Sequence, residues 1–380
     1  MKKHFLCAAL SGALLASLAT QPGLAKRDEP GGSRDTIQLA LLLDTSNSMD
    51  GLIDQAKSQL WKVVNEFSEM KKDGKVPRLE VALYQYGNDG LNAREGYVQQ
   101  VVPFTTDLDR VSEHLFKLKT NGGEEYCGWV MRSALKQLSW SDKPKDIRVM
   151  FIAGNEPFNQ GTVNYKEVCA SARQKDVLVN TIFCGPRGEG VETAWSDGAK
   201  LGGGDYLCID QDRKVVDIPT PYDAELAALS TKVNDTYVAY GDRGGAGRAR
   251  QEEQDKNAAA AAPSVAAQRA NTKAGANYSN AGWDLVDASR EGEVDVRKVP
   301  KDQLPAEMQS MNEAERAAYV EKKSKERSAL QARIRELSAK RDAFLAEKQK
   351  AASGAETLDE AMIKAVRTEA VKRGYTVPKT

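Results

Sequence analysis

The sequence predicts an α/β fold, a doubly wound and mostly parallel Rossmann-like sheet, followed by an α-helical C-terminal extension. Three observations lead there. Apolar runs of strand length alternate, from residue 37 to about residue 209, with segments whose apolar residues recur at helical spacing. The first run, Ile37 to Leu43, is apolar at nearly every position, as a strand buried on both faces requires. From about residue 241 a Gly-rich stretch and an Ala run replace the large apolar residues, so the sheet ends before that point.

The elements follow in order. Ile37 to Leu43 stops at Asp44, and Leu52, Leu60, Val63, Val64 and Phe67 then mark a helix closed by Asp73-Gly74. Leu79 to Tyr86 and Tyr97 to Phe104 alternate as strands, joined closely enough for one antiparallel hairpin. Leu108 to Leu118 and Trp129 to Leu138 are helical by spacing. Ile147 to Ala153 and Val177 to Cys184 are strands separated by a helix around Tyr165 to Gln174, and Gly202 to Gly204 turn the chain into a last strand, Tyr206 to Ile209. Beyond the sheet domain, residues 35–218, the segment 219–240 reads as a helix packing on it. Residues 241–300 read as a Gly/Ala-rich linker with Trp283, and 301–380 as a charged helical tail. In the tail Leu330, Ile334, Leu337 and Phe344 share one stripe, a short coiled-coil seam that Arg341 and Lys348 interrupt. Thr357-Leu358-Asp359-Glu360 is a capping-box pattern that opens the last helix.

Composition excludes several functions. The chain has 54 Lys+Arg against 54 Asp+Glu, so it lacks the long-range positive field of a nucleic-acid binder. Of its two histidines, His4 lies in a leader-like segment and His114 on an amphipathic helix, which leaves no imidazole pair for acid/base work; the expectation is a binding protein, not an enzyme. Residues 1–25 combine Lys2 and Lys3, an apolar run from Phe5 to Leu18, and small residues before Lys26, the pattern of a cleaved signal peptide. A periplasmic or secreted protein with no membrane span in the mature chain is expected. The glycines at 202–204 do not form a phosphate loop, because they follow a helix and precede a strand.

The chemistry concentrates at the end of the first strand. Asp44-Thr45-Ser46-Asn47-Ser48 reads DxSxS between a buried strand and a helix, where one carboxylate and two hydroxyls converge with loop amides. Such hard oxygen ligands suit Mg²⁺, or Mn²⁺ or Ca²⁺. The same residues also serve as ordinary helix caps. In this setting Asp44 to Asp50 resembles the metal-ion-dependent adhesion site of von Willebrand factor A (VWA) domains, over about residues 35 to 218. Asn121 to Gly128, Ile152 to Phe158 and Trp283 to Asp287 are similar to segments of exported bacterial VWA proteins of uncharacterised role. The resemblance implies a binding module whose bound metal accepts an acidic side chain from a partner protein.

The departures from that pattern matter equally. The family's second loop supplies a threonine where this chain has Glu124 and Glu125, and its fourth strand runs into an aspartate and glycine where this chain has Gly154-Asn155-Glu156. Either Glu124 or Glu125, together with Glu156, joins Asp44, Ser46 and Ser48 as a metal ligand, or the site is degenerate and these residues only cap helices. Extra carboxylates tighten cation binding and weaken the metal's pull on an acidic partner. Asp50 reads as the start of a solvated helix face.

Cys127, Cys169, Cys184 and Cys208 remain after the leader, an even number suited to two bridges in an oxidising compartment. In the winding that the resemblance implies, Cys127 with Cys169 and Cys184 with Cys208 is the expected pairing; four buried free thiols are the alternative. Trp283 in Gly-Trp-Asp-Leu-Val-Asp either packs the extension onto the domain or forms a partner-binding peptide. The leading function is therefore protein–protein interaction through a variant metal site, the alternative a metal-free scaffold acting through its C-terminal helices. A metal-assisted hydrolase built on Asp44, Glu124, Glu125 and Glu156 lacks a general acid. The oligomeric state is not encoded in any of these features.

Overall fold

Six strands make one sheet in the order β3-β2-β1-β4-β5-β6: β1 Thr36–Asp44, β2 Arg78–Tyr86, β3 Val98–Thr105, β4 Ile147–Gly154, β5 Leu178–Cys184 and β6 Gly203–Ile209. This computed structural model describes residues 34–211, 218–349 and 357–377; the expected signal peptide, residues 1–25, lies outside them. All neighbouring strands are parallel except β2 and β3, the expected hairpin. β1 is central, and all nine of its residues are buried, which is why its sequence from Ile37 to Leu43 is an apolar run broken only by Gln38 rather than an alternating one.

Helices cover both faces. α1 Asp50–Glu69 and α2 Leu108–Lys117 pack on the face reached by Ile37, Leu39, Leu41 and Leu43. α3 Cys127–Gln137, α4 Tyr165–Gln174, the short α5 Arg187–Glu192 and α6 Trp195–Gly202 follow, with α3, α4 and Trp195 packing on the face reached by Ala40 and Leu42. The extension adds α7 Asp223–Asn234, α8 Gly244–Ala261, α9 Pro263–Lys273, α10 Leu285–Arg290, α11 Glu313–Gln349 and α12 Leu358–Lys372. Residues from Arg34 onward form one compact unit.

The segment 241–300, expected as a linker, is largely helical and packed. Its helices are hard to read because their buried positions are polar: Gln251, Gln254, Arg269, Thr272 and Lys273 are all inside. Arg269 reaches Asp109 on α2 at 2.6 Å and Asp255 on α8 at 3.0 Å, while Lys273 meets the other oxygen of Asp255 at 2.9 Å. Tyr278 closes the network by donating to Asp109 at 2.6 Å. Buried charges persist only when paired and hydrogen-bonded in this way.

The network carries a pH dependence. Burial alone would raise the Asp255 carboxyl, but the charges of Arg269 and Lys273 win and hold it down at about 2, against an ordinary 3.8. A depressed carboxyl contributes stability that is present above its unfolded value and lost as pH falls through its folded one. Thermal unfolding should therefore lose on the order of 2 kcal/mol from this group between about pH 4 and pH 2. Asp255→Asn should lower the midpoint at neutral pH and flatten that acid limb; an unchanged limb would assign the acid sensitivity elsewhere.

The coiled-coil expectation is corrected as well. α11 is a single helix whose Ile334 and Leu337 are buried in the main core, with Leu330 packed beside them. Arg341, which interrupts the apolar stripe, is itself buried and bonded to Asp223 of α7 at 2.8 Å. Thr357 and Glu360 form the capping box that opens α12.

Trp283 is 7% exposed, so the partner-binding reading gives way to packing: its ring lies 5.3 Å from Tyr237 and covers Gly247. Its neighbours Asp284 and Asp287 hold the guanidinium of Arg327 from α11, at 2.6 and 2.9 Å.

The expected disulfides are absent, and all four described cysteines are free. Register excludes Cys184 with Cys208. Cys184 stands opposite Ile209 and Cys208 opposite Phe183, so the one-residue offset sends the two thiols to opposite faces of the sheet. Cys127 and Cys169 share a face but turn apart, Cys127 toward the Tyr86 hydroxyl at 3.7 Å and Cys169 toward the Gly198 carbonyl at 3.4 Å.

Candidate metal site

The loops that follow β1, β2 and β4, with the loop entering α3, meet at one end of the sheet. In a doubly wound sheet this is the carboxyl edge, where ligands bind. Asp44 is the last residue of β1 and is fully buried. One of its carboxylate oxygens, Oδ1, accepts the Ser46 amide at 2.8 Å; the other, Oδ2, has no hydrogen-bond partner. Ser46 is buried and Ser48 exposed, and their hydroxyls lie 3.3 Å apart.

Two glycines make room around this carboxylate. Gly87 has φ +76°, and a Cβ there would stand 2.8 Å from both Asp44 Oδ1 and Glu125 Cγ. A Cβ on Gly154 would come within 3.0 Å of Asp44 Oδ2 and 2.5 Å of the Tyr86 hydroxyl. The loops are tied to one another by backbone: Asn121 donates to the Thr45 carbonyl at 3.0 Å, and Asp89 donates to Gly122. The Asn88 side chain bridges to the Lys119 carbonyl at 2.9 Å.

The structure separates the two loop glutamates. Glu125 is buried beside Ser46 and Asp44, whereas Glu124 is exposed and turned to Tyr126. Burial, followed by the charges of Glu125 and Glu156 and against the amide and hydroxyl of Ser46, pushes Asp44 up to about 8. Burial, with Glu156 and Glu124, likewise raises Glu125 to about 7. Asp44 therefore feels the charges of both Glu125 and Glu156, yet among the described residues no group of three or more His, Cys, Asp or Glu side chains is arranged to hold a metal ion. The four-carboxylate cage of Asp44, Glu124, Glu125 and Glu156 is thus not formed, and any cation here depends on hydroxyls.

Sequence reasoning missed Asn155. It follows β4 and its side-chain amide donates to the Ser48 hydroxyl at 3.1 Å. Its position directly after a central strand was the available signal. Asp50 is exposed at the start of α1, as expected, and accepts a hydrogen bond from Thr120.

Residues 38–193 match the model of the von Willebrand factor type A domain, and the sheet and flanking helices they form agree with that fold. A search of curated protein sequences returned no significant match. Similar solved structures include the conserved hypothetical protein BatB of Bacteroides thetaiotaomicron, with TM-score 0.36 and 16% identity over 46% of this chain and 90% of that one. Proximal thread matrix protein 1 from the mussel byssus, with zinc in its MIDAS motif, has TM-score 0.36 and 13% identity over 47% and 43% of the two chains. The VWA domain of SpRpn10 has TM-score 0.36 and 12% identity over 47% and 90%. Domains of this family typically mediate protein–protein interaction and often bind a divalent metal at the adhesion site.

The residues at the site fit such a cation. A buried carboxylate oxygen without a partner is costly unless something positive meets it, and the two serine hydroxyls beside it are hard oxygen donors. Asp44, Ser46 and Ser48 are the candidate holders, with Glu125 the nearest further carboxylate and Glu156 and Asn155 at the margin.

Proposed function

We propose that this chain is an exported binding module that captures another protein through a variant metal-ion-dependent adhesion site, and that it is not an enzyme. Export is supported by the leader-like residues 1–25; among the described residues no helix is long and apolar enough to cross a membrane. The observation that carries the site is the unpartnered Oδ2 of the fully buried Asp44, beside the paired hydroxyls of Ser46 and Ser48. A bound Mg²⁺, Mn²⁺ or Ca²⁺ supplies a fixed positive charge with coordination positions open to a partner. The chain's own residues orient that charge. Ser46 is locked by the hydrogen bond that its backbone amide donates to Asp44, Asn155 positions the Ser48 hydroxyl, and Gly87 and Gly154 leave space that any larger residue would fill.

Calorimetric titration of the full chain with Mg²⁺, Mn²⁺ and Ca²⁺ tests this. Binding at millimolar affinity or tighter is expected, abolished in Ser46→Ala/Ser48→Ala with circular dichroism and melting unchanged. No binding by the unaltered chain, or equal binding by the double variant, would remove the cation from the reading.

A further inference from the structure

Charge is distributed unevenly over this molecule. The chain as a whole is neutral, and its described surface is laced with ion pairs, from Lys117–Glu113 on α2 to Arg333–Glu225 between α11 and α7. The loop end of the sheet is different. The first loop brings Asp44 and Asp50, the 87–97 loop Asp89 and Glu95, the 118–126 loop Glu124 and Glu125, and the loop after β4 Glu156. Against these seven carboxylates the same loops offer only Arg94 and Lys119. Among the described residues none of the seven takes part in an ion pair, although such pairs are frequent elsewhere.

A divalent cation on Asp44 does not reverse this field. With the cation bound and Asp44 and Glu125 ionised, its two charges, with Arg94 and Lys119, offset four of the seven carboxylates; without it the other five still outnumber Arg94 and Lys119, so the surface is negative in both states. A partner carboxylate approaching the cation would meet Glu125, which packs with Asp44 around Gly87, and Glu156, whose charge acts on Asp44. Like charges brought together at an interface cost affinity and slow association. A cationic partner gains on both counts.

The rim adds a second kind of contact. Tyr97 directly precedes β3, whose Val98 stands opposite Tyr86, so Tyr97 lies at this same end; its ring centroid is 6.1 Å from that of Tyr126. Both rings are partly exposed, and Tyr126 adjoins Glu124. A carboxylate beside aromatic faces is a setting for an ammonium or guanidinium group. The neighbouring Trp129 already carries such a group from the chain itself, with the Arg132 guanidinium 4.1 Å from its ring centroid.

We propose that the surface over Asp44, bounded by Glu124, Glu156 and the Tyr97–Tyr126 pair, takes a Lys/Arg-rich segment of the partner protein. This rests on the reading of the loop end as the binding face. It departs from the acidic partner that the family resemblance implies, because here the unpartnered Asp44 oxygen is surrounded by further uncompensated carboxylates.

The probes are two fluorescein-labelled peptides of equal length, one alternating Lys and Gly and the other Glu and Gly, titrated with the full chain by anisotropy in Mg²⁺ and in chelator. The Lys peptide should bind and weaken steeply with salt, and the Glu peptide should not bind. Glu124→Gln/Glu156→Gln should weaken the Lys peptide about tenfold or more. Tyr126→Leu, which leaves net charge unchanged, should weaken it about threefold, which diffuse attraction would not predict. Preference for the Glu peptide in Mg²⁺, or Lys-peptide binding indifferent to the glutamate changes, overturns the inference. Mg²⁺ binding by calorimetry without Lys-peptide capture overturns it alone. Lys-peptide capture without Mg²⁺ binding leaves it standing and removes the cation.

Discussion

Replacing Arg327 by alanine should lower folding stability by about 3–5 kcal/mol, the cost of breaking a buried ion pair by removing one partner. Arg327 is 2% exposed. Its guanidinium contacts Asp284 and Asp287, donates to the Thr236 hydroxyl and carbonyl at 2.9 and 2.7 Å, and lies 4.4 Å from the Tyr237 ring centroid. The two aspartates are committed on their other sides: Asp284 accepts the Val238 amide at 2.7 Å and Asp287 the Asn280 amide at 2.9 Å. Burial already pushes Asp284 upward, and Arg327 is the charge that opposes it. Alanine therefore leaves the buried Asp284 without a cationic partner, and Asp287 with only the half-exposed Arg290 at 3.0 Å, and removes the strut joining α11 to the 280–290 segment. Lysine should recover little, since it lacks the planar fork that serves four acceptors at once. Urea unfolding followed by tryptophan fluorescence reads the effect directly. A loss under 1 kcal/mol would mean that Arg327 is dispensable to this packing.

That strut also explains what could and could not be read in the chain. β1 and β4 are legible because both faces of a central parallel strand are covered, so a single polar residue, Gln38 or Arg148, is all that interrupts each apolar run. The extension is illegible to the same method. In α8 and α9 the buried residues include Gln251, Gln254, Arg269 and Lys273, and in α11 Arg327 and Arg341, so hydrophobic periodicity finds a linker and an interrupted seam where there are packed helices. The segment Trp283 to Asp287 stood out in sequence, but Arg327, the distant partner of its two aspartates, did not.

The site divides the same way. Asp44, Ser46 and Ser48 are local to one turn, and their spacing is enough to bring them together. Which of Glu124 and Glu125 turns inward depends on how the 118–126 loop is pinned to Thr45 and Asn88, a tertiary matter. Adjacency of β5 and β6 was readable, but the register that parts Cys184 from Cys208 was not.

The largest effect is expected from the end of the chain. The family match ends at residue 193, yet α12, which begins at Leu358, packs on α1 and on β4, β5 and β6, covering the sheet face that would otherwise be open there. Leu358, Met362, Val366 and Tyr375 are all buried, each contributing roughly 1.5–3 kcal/mol, and together they approach the ~5–15 kcal/mol that holds a typical domain folded. Polar contacts fix the helix in place: Lys62 meets the buried Asp359 at 2.5 Å, Arg367 grips Glu66 at 2.5 and 2.9 Å, and Thr376 pairs with Lys71 as a short bridge. Truncation after Gln349 should therefore abolish cooperative unfolding and near-ultraviolet dichroism while exposing apolar surface to a dye such as ANS. A synthetic peptide of residues 357–377 should restore both signals in a concentration-dependent way. If the truncated chain melts as sharply and as high as the full one, α12 is an appendage. If it does not, a fragment cut at residue 218 is missing one wall of its own core, and binding measured on such a fragment would report on a damaged domain.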